Sequence, residues 1–333
     1  MPKATLAAVA LLGAVSAVAS TTGATADRPD GARPAAASAT GWQQVGRDMK
    51  SGVSGIAADP GPGGARRFLV VRDNKRPGEN RLARVTPAAG RGRTPAVEPL
   101  GWRGGAEPVD LEALAAVPGT PDEYLALASR GLVYHLKVSE AGAVGVLDLS
   151  PLPAIAAGDN FESLALVSRH GRTAAVWADR GAGAGRPATL SAAPLAFDEY
   201  GAPVFGTVTH AVFRAPSPRG NVRHASDITV TGTGRLLIAS AADEGDDGPF
   251  ASSVSDAGRV SVDRSGRVRL SMASPRLLKT YPADKIEALS CMAGSGTAGP
   301  GTAGHGTAGH GTAVLGTDNE NAGGGVGFAR LCD

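Results

Sequence analysis

Short apolar runs bounded by Gly, Pro, Asn and Asp follow one another through most of this chain, and a phrase with an acid ahead of aliphatic positions marks where they restart. The phrase reads Asp110-Leu111-Glu112-Ala113-Leu114, Asn160-Phe161-Glu162-Ser163-Leu164, Ser226-Asp227-Ile228-Thr229 and Lys285-Ile286-Glu287-Ala288-Leu289. An earlier relative, Ser54-Gly55-Ile56-Ala57, carries a hydroxyl in place of the acid. Copies beginning at 54, 112, 162, 227 and 287 are separated by 58, 50, 65 and 60 residues, a period too long for a helical solenoid and suited to a multi-stranded unit.

Each phrase is followed by a second run, at 67–73, 123–128, 173–179, 234–239 and 312–318, and then by a third, at 81–85, 132–136, 189–192, 259–262 and 327–331. The runs are short, turn-bounded and without helical periodicity, so they read as strands. Three or four strands per module in five modules predict an all-β chain folded as a five-bladed β-propeller, with a six-bladed ring as the alternative. Gly41-Trp42-Gln43-Gln44-Val45 precedes the first phrase and is the candidate outer strand of the last blade, closing the ring with residues from both ends.

The first residues read differently. Lys3, an apolar stretch from Leu6 to Ala19 and small residues up to Ala26 have the layout of a secretory signal, assigned to 1–26. Residues 27–45 read as a disordered leader and 46–333 as one propeller domain. A Gly/Thr/Ala/His tract at 294–313, too poor in large apolar side chains to order itself, interrupts the last module as a flexible insertion. In a secreted chain the only two cysteines, Cys291 and Cys332, are most simply a disulfide.

Composition narrows the partners. Lys and Arg number 33 against 31 Asp and Glu, and aromatic residues make up 4%, so neither a nucleic-acid surface nor a stacking platform is indicated. With no second long apolar stretch, no membrane association is expected after signal cleavage, and a monomer outside the cell is the simplest form. No Gly-x-Ser-x-Gly elbow, Walker A loop, His-Glu-x-x-His or Cys-x-x-Cys pair occurs.

Function turns on the acids of the phrase. The first strand of a propeller blade lines the central tunnel, so Ser54, Glu112, Glu162, Asp227 and Glu287 are expected to converge as a ring. Converging carboxylates repel, so either their pKa values rise or a cation neutralises them, and hard oxygen donors favour Ca2+. The competing reading makes the acids latches for loop amides, with Lys285 as an internal counter-charge that makes a metal unnecessary.

The Glu-Ala-Leu and Glu-Ser-Leu phrases, with second strands ending Val-Val-Arg-Asp73-Asn74 and Leu-Gly-Thr-Asp318-Asn319, resemble the secreted phytase-like or esterase-like propellers. The order Ser, Glu, Glu, Asp, Glu around five modules is also similar to the calcium-dependent soluble apyrases. That resemblance implies Ca2+ held by Ser54, Glu112, Glu162, Glu287 and Asp227 or its neighbour Ser226. If the chain is an enzyme, the expected reaction is metal-assisted hydrolysis of a phosphate ester or anhydride in a small phosphorylated molecule. Asp110 or Glu287 would orient water, and Arg130, Arg180, Arg223 and His224 would lie against the substrate. The alternative is a non-catalytic propeller that binds an extracellular protein or glycan, its acidic ring being structural.

Overall fold

The computed structural model describes residues 41–333 apart from 63–64, 91–92, 104, 243 and 293–310. Five antiparallel sheets follow one another along the chain. Blade 1 runs Gly55–Ala58, Phe68–Val71, Leu82–Thr86 and Ala96–Pro99 from inner to outer strand. Blade 2 runs Leu111–Ala116, Glu123–Ala128, Leu132–Val138 and Ala143–Pro151, with Gly101–Arg103 added in parallel at its edge. Blade 3 runs Phe161–Arg169, Arg172–Asp179 and Ala188–Phe197, its outer edge shared by Pro203–Phe205 and Thr209–Phe213. Blade 4 runs Val222–Val230, Arg235–Ala242, Ser252–Val262 and Val268–Tyr281. Blade 5 runs Ile286–Cys291, Thr312–Asp318 and Gly324–Arg330, and its outer strand is Gln43–Gln44. The inner strands neighbour one another in order, and that of blade 5 returns to blade 1, so the ring is a five-bladed propeller.

The core explains why the runs lack strand alternation. Alternate residues of a strand point to opposite faces, and here both faces are covered. In blade 1, Leu69 and Val71 pack toward blade 2 while Phe68 and Val70 pack toward blade 5. In blade 4, Leu236 and Ile238 face blade 3 while Leu237 and Ala239 face blade 5. Five apolar clusters result, one in each wall between adjacent blades. A strand buried on both sides reads as one continuous apolar run, as each second strand does.

Closure is made by residues ahead of the first blade. Gln43 and Gln44 pair with Val326 and Gly325. The Gln43 amide reaches blade 1, donating to Ala88 O at 2.8 Å and accepting from Ala88 N at 2.9 Å. Trp42 donates its Nε1–H to Asp284 Oδ2 at 2.8 Å, and its ring lies where a Cβ on Gly327 would approach within 2.5 Å, so only glycine fits beside it. The propeller therefore reaches ahead of residue 46, the boundary set by composition: polar residues that read as leader become ordered by pairing with the chain's other end.

Cys291 and Cys332 form a disulfide across 41 residues, fastening the inner strand of blade 5 to the segment after its third strand. The signal, residues 27–40 and most of the 294–313 tract lie outside the described residues, while Thr312 and Ala313 open a strand of blade 5. Among the described residues no helix is long and apolar enough to cross a membrane.

Replacing both Cys291 and Cys332 by Ala removes a constraint on the unfolded chain. Chain-entropy arguments put the loss at about 4 kcal/mol or less, read as a lower urea midpoint under oxidising conditions and no difference from the parent after reduction.

Candidate functional site

The start of each inner strand and the end of each second strand meet on one face of the ring. There the pairing slips. In blade 2 Leu111 pairs with Ala128 but Ala113 with Leu127; in blade 3 Phe161 with Asp179 but Ser163 with Ala178; in blade 5 Ile286 with Thr317 but Ala288 with Gly316. The extra residue in each β-bulge is Glu112, Glu162 or Glu287. A bulge leaves one residue out of the ladder and turns its side chain away from the pleat, which frees these glutamates for the tunnel mouth.

Blade 4 breaks the series. Its register jumps from Arg223 opposite Ala241 to Asp227 opposite Ala239, leaving His224, Ala225 and Ser226 against Ser240. Asp227 thus matches Ala113, Ser163, Ala288 and Gly55, one place beyond the glutamates, and Ser226 holds the position matching Glu112, Glu162, Glu287 and Ser54. At this place the chain faces the next blade: a Cβ on Gly55 would lie 2.7 Å from Leu114 N, and Ser163 donates to Ala225 O at 3.3 Å. Asp227 Oδ1 accepts from Ile228 N at 2.7 Å and Oδ2 from Leu289 N at 2.6 Å, tying blade 4 to blade 5. Burial still pushes its carboxyl well above the usual range, against those amide bonds. Asp227 is therefore a latch between blades, where a place in the axial ring had been expected.

The other acids meet built-in cations. Glu162 Oε1 accepts from Arg180 Nη1 at 2.8 Å and Arg223 Nη1 at 3.1 Å. The same Arg223 Nη1 lies 2.7 Å from Glu287 Oε1, so one guanidinium nitrogen bridges blades 3 and 5 from blade 4. Lys285 Nζ stands 3.0 Å from Glu287 Oε1 and also pairs with Glu320. Arg180 and Arg223, expected to clamp a phosphate, are directed at carboxylates. Glu112 is half-buried, and no ion pair reaches it among the described residues. Burial, then Glu162 and Asp110, raise its carboxyl well above the ordinary value.

The remaining expected residues divide. Asp110 sits at φ 64°, accepts from Ser129 Oγ and lies 3.0 Å from Lys75 Nζ. Arg130 is exposed on the turn after the second strand of blade 2. His224 is buried: Nε2 donates to Gly183 O at 2.8 Å and Nδ1 accepts from Ala215 N at 3.0 Å, so backbone groups occupy both ring nitrogens, and burial lowers its pKa. Ser54 is 1% exposed, and its Oγ has no hydrogen-bond partner.

Asp73, Lys75, Asp318 and Glu320 join this mouth although sequence reasoning assigned them no role. Asp318 is buried, and a Cβ on Gly52 would stand 2.4 Å from its carboxyl carbon, so glycine makes the room. Burial and then Glu287 push Asp73 up to about 6, and the same two causes raise Asp318. The available signal was the Asp-Asn pair ending the second strands of blades 1 and 5, at 73–74 and 318–319.

Arg223 stands between two of the expected ligands, Asp227 is used on backbone amides, and no group of three or more His, Cys, Asp or Glu among the described residues is arranged to hold a metal.

No family model matches the chain, and no curated protein matches it. Solved structures do. A GH43 β-1,3-galactosidase with galactodeoxynojirimycin aligns at TM-score 0.47 and 10% identity over 86% of this chain and 94% of its own. A putative exo-β-1,3-galactanase from Bifidobacterium bifidum s17 aligns at 0.45 and 10% over 87% and 91%. The WD40 propeller domain of Doa1 aligns at 0.39 and 11% over 87% and 98%. The chain is a β-propeller. Neither the phytase-like nor the apyrase resemblance gains a match.

Two outcomes follow from the charges. Arg223→Met leaves Glu162 and Glu287 short of a shared counter-ion in a mostly buried place, which costs about 3 kcal/mol in urea unfolding. Carboxyls raised in the folded state bind protons that the unfolded chain releases, so stability falls as pH rises; for Asp73 the window runs from about 4 to about 6. The melting temperature is thus higher at pH 5 than at pH 7.5, and Asp73→Asn raises the value at pH 7.5.

Proposed function

We propose that this chain is a secreted binding propeller whose axial acids are counter-ions of its own arginines and lysine, not the ligands of a catalytic metal. The observation that carries this reading is Arg223 Nη1 between Glu162 Oε1, at 3.1 Å, and Glu287 Oε1, at 2.7 Å. A guanidinium in that position does the neutralising that a calcium ion would do, and its fixed planar donors hold two blades in register. With Arg180 and Arg223 directed at Glu162, the arginines needed to clamp a transferring phosphoryl group are already engaged. The disulfide between Cys291 and Cys332 fits an oxidising compartment, in keeping with the signal read at 1–26. On this reading the partner is an extracellular molecule held by the loops around the mouth, and the ring is a scaffold.

Melting the EDTA-treated protein with and without millimolar CaCl2 tests this. The expected result is the same melting temperature in both and no turnover of p-nitrophenyl phosphate or ATP. A calcium-dependent rise that Glu162→Gln abolishes would restore the metal-ring reading.

A further inference from the structure

The cations at the axial mouth are unevenly shared. Around blades 3, 4 and 5, Glu162 and Glu287 have Arg180, Arg223 and Lys285. Toward blades 1 and 2, the only ion pairs that reach Asp73 and Asp110 among the described residues come from Lys75. Its Nζ lies 3.0 Å from Asp110 Oδ1 and 3.7 Å from Asp73 Oδ2. Its side chain is 60% exposed, whereas that of Lys285 is 4% exposed. Lys285 is thus built into the wall, while Lys75 lies over the acids from the solvent side on a long stem that can swing away.

Acceptor capacity is also left over around the same mouth. Glu162 Oε2 is buried without a hydrogen-bond partner, on a side chain 4% exposed, and Ser54 Oγ, at the matching position of blade 1, is in the same condition. Glu112 and Glu162 are the bulge residues of neighbouring inner strands, so the unpartnered oxygen and the unpaired Glu112 carboxyl face the same mouth. Buried acceptors are rarely left empty without cost, and a ligand that donates hydrogen bonds and carries positive charge would supply what they lack.

We propose that the blade 1 and blade 2 side of the mouth binds an alkylammonium group of a ligand, with Asp73, Asp110 and Glu112 as its counter-ions and Lys75 as the internal group it displaces. The assignment rests on the binding-propeller reading. Lys75 itself demonstrates the chemistry: a primary ammonium reaches both Asp110 and Asp73 from solvent. Ser129 holds the other oxygen of Asp110, which leaves Oδ1 directed at the cation. An ammonium brings three donors that can be shared among spread acceptors. A divalent metal needs a compact oxygen shell, and no such group occurs among the described residues.

Isothermal titration calorimetry on the full secreted chain tests this with three probes: spermidine, the peptide Gly-Lys-Gly with blocked ends, and CaCl2. The amines are expected to bind and CaCl2 to give no heat. Lys75→Ala, at an exposed side chain, should tighten amine binding by removing the competitor. Asp110→Asn should weaken it by about tenfold, as the loss of one charge-assisted contact implies. The tighter of the two amines identifies the source as a free polyamine or a lysine of a protein. Absence of amine binding to both the parent and Lys75→Ala overturns the proposal, as does amine binding unchanged in Lys75→Ala. If Asp110→Asn does not fold, the Lys75→Ala comparison decides alone. Calcium binding in place of the amines would overturn the binding-propeller reading itself, whereas silence from all three probes overturns only the ligand.

Discussion

Every blade of this protein has two apolar faces, and the rest of the structure depends on covering both. A lone sheet with Phe68 and Val70 on one side and Leu69 and Val71 on the other would expose one set whichever way it packed. A row of such sheets would leave its first and last faces open, so only a closed ring covers all of them. Closure by Gln43–Gln44 on the third strand of blade 5 is therefore a thermodynamic requirement, although the strand is only two residues long. Strand pairing and the Trp42 bond to Asp284 span the one junction the chain does not cross continuously, the Gln43 amide ties the closing strand to blade 1, and the disulfide fastens blade 5 itself.

Closing the ring creates the electrostatic problem at its mouth. Five inner strands begin at one end of a narrow axis, and three of them extrude a glutamate by the same one-residue slip. Brought together in a place of low polarity, such groups either take up protons or find cations. The protein does both. Arg180, Arg223 and Lys285 meet Glu162 and Glu287, while Glu112, Asp73 and Asp318 have carboxyls raised chiefly by burial. Blade 4 contributes the bridging arginine in place of a fourth acid. Its longer register slip carries Asp227 into the wall and leaves Ser226 at the ring position, donating to Ile286 O. One change of register thus converts a repeat of ligand-like acids into a compensated network.

Much of the fold could be read along the chain. The second and third runs of all five modules are strands, and Trp42 to Val45 close the ring as their position before the first phrase suggests. This followed because a strand buried on both sides leaves an unbroken apolar run between turns. The candidate site was legible to the level of which acids stand at the inner-strand starts. It was not legible in blade 4, because Ser226-Asp227-Ile228 offers two oxygen-bearing residues and only the pairing register tells which one faces the next blade. His224 likewise looked available beside Arg223, and its two nitrogens proved to be held by Gly183 and Ala215, far from it in sequence or outside its own strand.

By itself the sequence determined the repeat, the strand character of the runs and the pairing of two cysteines, since each depends on residue type and spacing within a module. The tertiary structure decided the rest: which oxygens share the axis, and which cation each one meets. Coulomb energy depends on distance and burial, and the bond from Arg223 to Glu287 joins residues 64 positions apart whose separation only the closed ring sets.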